Sequence, residues 1–225
     1  MKFKTILRLL CPNNLRKTKM KNPVKNIITI QHPESMHHTN GMIGSWTDWE
    51  LTERGKKQAA QIGRKLAAEF GQKTFVLYSS TLARASQTAE IICKHLNIEP
   101  QFTEKLKERN LGAAVGKSVQ WLREHIETEE YTIDDKCFHD AESRRDAWNR
   151  LIPFYEAVVN SEAENIIIIS HGDTLSIFNT MWLGLPVEFL NYGDLYGESG
   201  GVSFLAKNSQ RKHVIKRLSD MSYII

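Results

Sequence analysis

The chain has 225 residues, 41% hydrophobic and 25% charged, ordinary globular usage that excludes a fibre or a disordered polyelectrolyte. It is long enough to bury one substantial core, and no composition break in its middle argues for two domains. The net charge of +4 is misleading, because eight basic residues, from Lys2 to Lys25, precede the first acidic residue, Glu34. From residue 26 onward 22 basic residues stand against 26 acidic ones, so no broad basic face awaits a nucleic acid.

Residues 1–24 read as a basic tail, either disordered or upstream of a working start at Met20, and residues 25–225 as the folded domain. The tail's apolar patch (Ile6, Leu7, Leu9, Leu10) is interrupted by Arg8 and is too short for a signal sequence. No run of about 18 apolar residues exists, so no stable membrane insertion is expected. Cys11, Cys93 and Cys137 are odd in number and widely spaced, which fits neither a disulfide framework nor a paired-cysteine metal site. A reducing cytoplasm is the expected setting.

Residues 26–31 (NIITIQ) are a short β-branched run ending in polar groups, the pattern of a buried strand feeding a loop. A helix follows from Thr52, its N-cap, with Ala59, Ile62, Leu66 and Phe70 on one face. Residues 74–78 read as a strand and 82–96 as a helix, while 124–142 form an acidic segment, either an insertion over the site or a solvated loop. Residues 143–159 read as a helix, 165–169 as the most hydrophobic strand, and 175–183 as another helix. The segments 201–206 and 213–218 form a closing pair of strands. This alternation predicts an α/β fold: a mainly parallel sheet with helices on both faces, three layers in all.

Three polar clusters directly follow three of these strands: Gln31-His32-Pro33-Glu34-Ser35, Ser79-Ser80-Thr81-Leu82-Ala83-Arg84, and Ser170-His171-Gly172-Asp173. In a parallel sheet they converge beyond the strand ends, where two imidazoles and a guanidinium can hold a tetrahedral anion. Each alone reads equally well as structural; Glu108 beside Arg109 also fits a surface ion pair. His32 and His37 offer two metal-binding imidazoles, but no tight His/Asp set accompanies them, so no metal and no cofactor are expected.

The combination resembles the histidine phosphatase (phosphoglycerate mutase-like) superfamily, whose hallmark is a strand followed by Arg-His-Gly and, later, another followed by Ser-His-Gly. The similarity spans roughly residues 26–206. It includes Trp46-Thr-Asp48 leading to Leu51-Thr52 and Gly55, the close match Ser80-Thr-Leu-Ala-Arg84-Ala-Ser-Gln-Thr-Ala89, and Leu106-Lys-Glu108-Arg109 leading to Gly112 and Gly116. The resemblance implies His32 as phosphoryl-accepting nucleophile, Arg84 and His171 as clamps on the phosphoryl oxygens, and Glu108 as proton donor. Gln31, His38, Arg109 and Gly172 are assigned to substrate binding.

Gln31 and Pro33 depart from the Arg-His-Gly motif. An amide in place of a guanidinium exchanges hydrogen bonds of about 1.5–3 kcal/mol for ones of about 0.5–1.5 kcal/mol, and Pro33 supplies no N–H. The expected activity is hydrolysis of a small phosphomonoester through a phosphohistidine. The alternatives are mutase-type phosphotransfer and a phosphate-ligand binder with little turnover. The expected partner is a small phosphorylated substrate; a homodimer is left open.

Overall fold

The computed structural model describes residues 25–208 and 210–225; the basic tail assigned above lies outside the described residues. Six strands, β1 (Asn26–Gln31), β2 (Val76–Ser80), β3 (Pro100–Thr103), β4 (Asn165–Ser170), β5 (Val202–Lys207) and β6 (His213–Asp220), form one sheet in the order β3-β2-β4-β1-β5-β6. The pairs β1/β4, β4/β2 and β2/β3 are parallel. The closing strands β5 and β6 add antiparallel pairs at one side.

The two isoleucine-rich strands lie side by side in the middle, and their alternating side chains feed two cores. Ile27, Ile166 and Ile168 pack with Leu151, Phe154 and Phe178 from helices α5 (Arg144–Asn160) and α6 (Gly172–Trp182). Ile28, Ile30, Ile167 and Ile169 pack with Ile62, Leu66, Ala89 and Ile92 from α2 (Glu53–Phe70) and α3 (Ala83–Leu96). A continuous apolar run is what a strand buried on both faces requires. Two shorter helices, α1 (His37–Asn40) and α4 (Val119–His125), lie in connections. No helix among the described residues is long and apolar enough to cross a membrane.

Local signals set the long helices. Thr52 Oγ1 accepts from Gly55 N at 3.0 Å, and Ser143 forms a reciprocal capping box with Asp146 at the start of α5. Elsewhere neighbours decide. Strand β2 begins two residues later than expected and runs on to Ser80, because its register with β4 starts at Val76↔Ile166 and its last residues also pair with β3. Helix α6 begins at Gly172 rather than 175, because the Glu108 carboxylate accepts from the backbone N–H groups of Asp173 and Thr174. The acidic segment is anchored, with Ile133 in the α5/α6 core and Cys137, Phe138 and Ala141 packed beside Ile43 and Ala114.

One close approach fixes the loop after β1 against α2. A Cβ on Gly55 would stand 1.9 Å from the Glu34 carbonyl oxygen, so Gly55→Ala must push the helix and the loop apart. The expected loss is about 1–3 kcal/mol, the usual effect of overpacking. A lower urea midpoint at unchanged slope would register it.

Candidate active site

Strand pairing brings the first and third polar clusters together. Gln31 is in register with Ser170, His32 N donates to Ser170 O at 3.0 Å, and the His32 and His171 ring centroids are 5.1 Å apart. Both imidazoles are buried. His171 is the N-cap of α6, whose first backbone N–H groups, those of Asp173 and Thr174, point to the Glu108 carboxylate.

The His32 tautomer follows from its contacts. Nδ1 lies 2.9 Å from the Pro33 carbonyl, which only accepts, so Nδ1 carries the proton and Nε2 keeps its lone pair. Arg84 Nε donates to that Nε2 at 3.1 Å. The motif departure at Pro33 therefore leaves the orienting contact intact, because it uses the residue's carbonyl rather than its missing N–H. Burial, with Arg84 beside it, holds the His32 imidazole well below its ordinary value, so the ring is neutral and nucleophilic at neutral pH.

Arg84, in the first turn of α3, is 1% exposed and held by the 45–48 loop. Its terminal nitrogens donate to Ser45 O and Thr47 O, each at 2.8 Å, and Asp48 Oδ1 accepts from Ala83 N at the helix start. Burial lowers its pKa to about 10, which still leaves it charged. His171 Nε2 lies 2.8 Å from Ser80 Oγ. Its Nδ1 is buried without a hydrogen-bond partner among the described residues, a state that costs about 1–3 kcal/mol unless a ligand satisfies it.

Glu108 reaches the same space from the strand-to-helix connection. Trp46 Nε1 donates to its carbonyl at 2.6 Å, and its carboxylate accepts from Arg109 N, Thr174 N and Thr174 Oγ1 at 2.9–3.2 Å. Burial first, and Asp173 second, push its pKa above the usual carboxylate value, against these donors and Arg84. A buried carboxyl that retains a proton is suited to donate one.

His32, Arg84 and Glu108 line a cleft of about 220 Å³ together with Gln31, His38, Arg109 and Gly172, and His171 is buried beside His32. Arg109 is held by carboxylates: Nε donates to Asp173 at 3.0 Å, one terminal nitrogen to Glu130 at 3.0 Å, and the other to Glu130 and Glu142 O. Its charge is matched by carboxylates, one of them from the acidic segment. Asp173 also accepts from Arg144 at 3.0 Å, which makes it an ion-pair hub rather than an acid.

Several wall residues were not signalled by the sequence. Tyr196 lines the cleft alongside the expected imidazole of His37. Tyr196 lies over Gly172, where a Cβ would come within 2.6 Å of its ring, and shares the cleft wall with Gln31. Thr174 and the Ser45 and Thr47 carbonyls orient Glu108 and Arg84. Only the Trp46-Thr47-Asp48 stretch offered a clue to the last two.

The profile of the histidine phosphatase superfamily (branch 1) matches residues 27–220. The chain belongs to that superfamily and is an enzyme. It is similar to a 2,3-bisphosphoglycerate-dependent phosphoglycerate mutase of Bartonella tribocorum, 29% identical over 177 residues, which cover 73% of this chain and 84% of the relative. It is also similar to a phosphoserine phosphatase homologue of Hydrogenobacter thermophilus, 26% identical, covering 85% and 94% respectively. Among solved structures, a mycobacterial glucosyl-3-phosphoglycerate phosphatase superposes with a TM-score of 0.75 at 18% identity, covering 88% of this chain and 99% of that one. Bacillus stearothermophilus YhfR gives 0.77 at 23%, covering 89% and 100%. These two likenesses concern the fold.

Proposed function

We propose that this enzyme hydrolyses a small phosphomonoester through a phosphohistidine on His32. The single observation that carries this is the neutral, oriented His32 beside the unpartnered His171 Nδ1 and the buried Arg84. His32 Nε2 attacks phosphorus in line, exchanging its bond to Arg84 for one to phosphorus, while the ester P–O bond breaks and Glu108 gives its proton to the leaving oxygen. The Glu108 carboxylate then takes a proton from water as that water attacks phosphorus. The P–N bond breaks, releasing phosphate and restoring His32. Arg84 and the His171 ring stabilise the charge on the phosphoryl oxygens throughout. The cleft lies below the usual range of about 300–1,000 Å³ for ligand pockets, which suits a phosphoryl group and a small alcohol portion.

Rapid acid-free quenching after addition of a labelled phosphate ester is expected to leave an acid-labile, base-stable phosphoryl group on His32. Label confined to His171 would reject the assignment. Mutase-type transfer is the second reading, favoured by the similarity to phosphoglycerate mutases. Against it stands Arg109, whose guanidinium is occupied by Glu130 and Asp173 and offers little to a second phosphate. A phosphoglycerate isomerisation assay separates the two.

Gln31, the last residue of β1, is buried at the cleft wall and presents an amide where the family motif has a guanidinium. Gln31→Arg combined with Pro33→Gly is expected to raise kcat/KM by up to about 10²-fold, judged from the effect of single oxyanion donors. Gln31→Ala is expected to lower it. Loss of activity in a folded double variant would mean that this wall is arranged around Gln31 and Pro33 for a different substrate pose.

A further inference from the structure

Helix α1 presents His37 and His38 in consecutive positions against the nucleophile, and the phosphatase reaction as derived uses neither. Ring centroids are 5.8 Å apart for His32 and His37, 5.6 Å for His32 and His38, and 4.0 Å for His37 and His38. One ring nitrogen from each of the three lies within 4.8 Å of the other two. Three imidazoles from a seven-residue stretch thus face one small space, adding His38 to the pair that the sequence offered.

We propose that His32, His37 and His38 bind a divalent transition-metal ion of the zinc type, and that this ion and a substrate phosphoryl group exclude one another at His32 Nε2. Two of the rings already have the outer partners that metal-ligating histidines use to fix their tautomer. His32 Nδ1 donates to the Pro33 carbonyl, and His37 Nδ1 lies 2.7 Å from Ser35 Oγ, which can accept its proton. Each Nε2 then carries the lone pair, that of His32 facing Arg84. The backbone beside His37 Nε2 is Gly44, where a Cβ would stand 2.8 Å away, so the missing side chain keeps that nitrogen accessible.

The third ring must adjust. His38 Nδ1 accepts from Ser35 N at 3.1 Å, so coordination through either nitrogen disturbs one hydrogen bond. His38 is exposed at its position on α1 and can move. Zinc–nitrogen bonds of about 2.0–2.1 Å in a tetrahedron put ligand nitrogens about 3.4 Å apart, so the triangle must contract through side-chain rotation. Three nitrogens and no oxygen select zinc, nickel, cobalt or copper over magnesium or calcium, and leave a fourth position for water. Arg84 opposes binding, since it donates to His32 Nε2 and carries positive charge. The dissociation constant therefore falls in the micromolar rather than the nanomolar range.

Equilibrium dialysis of the full chain against zinc in phosphate-free buffer tests this directly. One zinc is expected to depend on the triad, with His37→Ala and His38→Ala each weakening its binding at least tenfold, whereas magnesium does not compete. His139→Ala, removing an exposed imidazole beside Glu127, is expected to leave it unchanged. Because His38 is exposed, its variant remains folded, which an unchanged metal-free melting temperature confirms. Zinc affinity unchanged in both α1 variants, or lost in His139→Ala, would overturn the site. Binding stands without the phosphatase reading, but the exclusion clause rests on it: zinc should raise KM for an aryl phosphate at unchanged kcat. Loss of kcat at unchanged KM would overturn the exclusion clause while leaving the binding measurement intact.

Discussion

His32→Ala is expected to lower kcat/KM for a generic aryl phosphate by at least about 10⁴-fold, the scale on which removal of a covalent nucleophile acts. His32 Nε2 lies against the buried Arg84 guanidinium, and its Nδ1 proton is fixed by the Pro33 carbonyl. His171 Nε2 is engaged by Ser80, and Glu108 by the first turn of α6. The substitution should leave the fold intact, since among the described residues the ring makes only two hydrogen bonds, one to the adjacent Pro33 and one from Arg84, whose terminal nitrogens stay held by Ser45 O and Thr47 O. Unchanged far-UV circular dichroism with lost turnover would show that chemistry rather than folding was removed. Retention of more than a few per cent of the rate would mean that water, or another group, attacks phosphorus directly.

The parts of this site legible from the sequence are those whose signals are local. The isoleucine runs and the Thr52 cap each depend on a few neighbouring residues, and both appear where expected. Convergence of the three strand-end clusters follows from parallel pairing: His32, Arg84 and Glu108 line one cleft, and the His171 ring lies 5.1 Å from that of His32. Strand β3 escaped notice because it is a four-residue edge strand starting at a proline. The cleft wall escaped for a different reason: Tyr196 reaches Gly172 from a segment without periodicity, and Arg109 is matched by Glu130, 21 residues away. Which charges remain available in the cleft is a tertiary property, and the same holds for the clustering of His37 and His38 about His32.

Glu108→Gln is expected to lower kcat about 10²–10⁴-fold for an alkyl phosphate, the usual contribution of a positioned acid, and distinctly less for an aryl phosphate. The aryl leaving group departs as a stable anion and needs little protonation, whereas an alkoxide needs the proton that Gln cannot supply. The amide oxygen can still accept from Thr174 N, as the carboxylate does at 3.2 Å, so the start of α6 keeps its cap. Because burial and Asp173 raise the Glu108 pKa, the wild-type acid survives above the ordinary carboxylate range and is lost as pH rises through the raised value. The alkaline limb of kcat for the alkyl ester should therefore disappear in the variant. The stability change runs in the opposite sense to damage. A carboxyl whose folded pKa is raised contributes stability below the unfolded value that is lost as pH rises through the folded one. The neutral amide escapes that loss, so the variant should melt no lower than the wild type at neutral pH. Equal losses on alkyl and aryl esters, with the alkaline limb still present, would show that Glu108 orients the α6 terminus and that the proton comes from elsewhere.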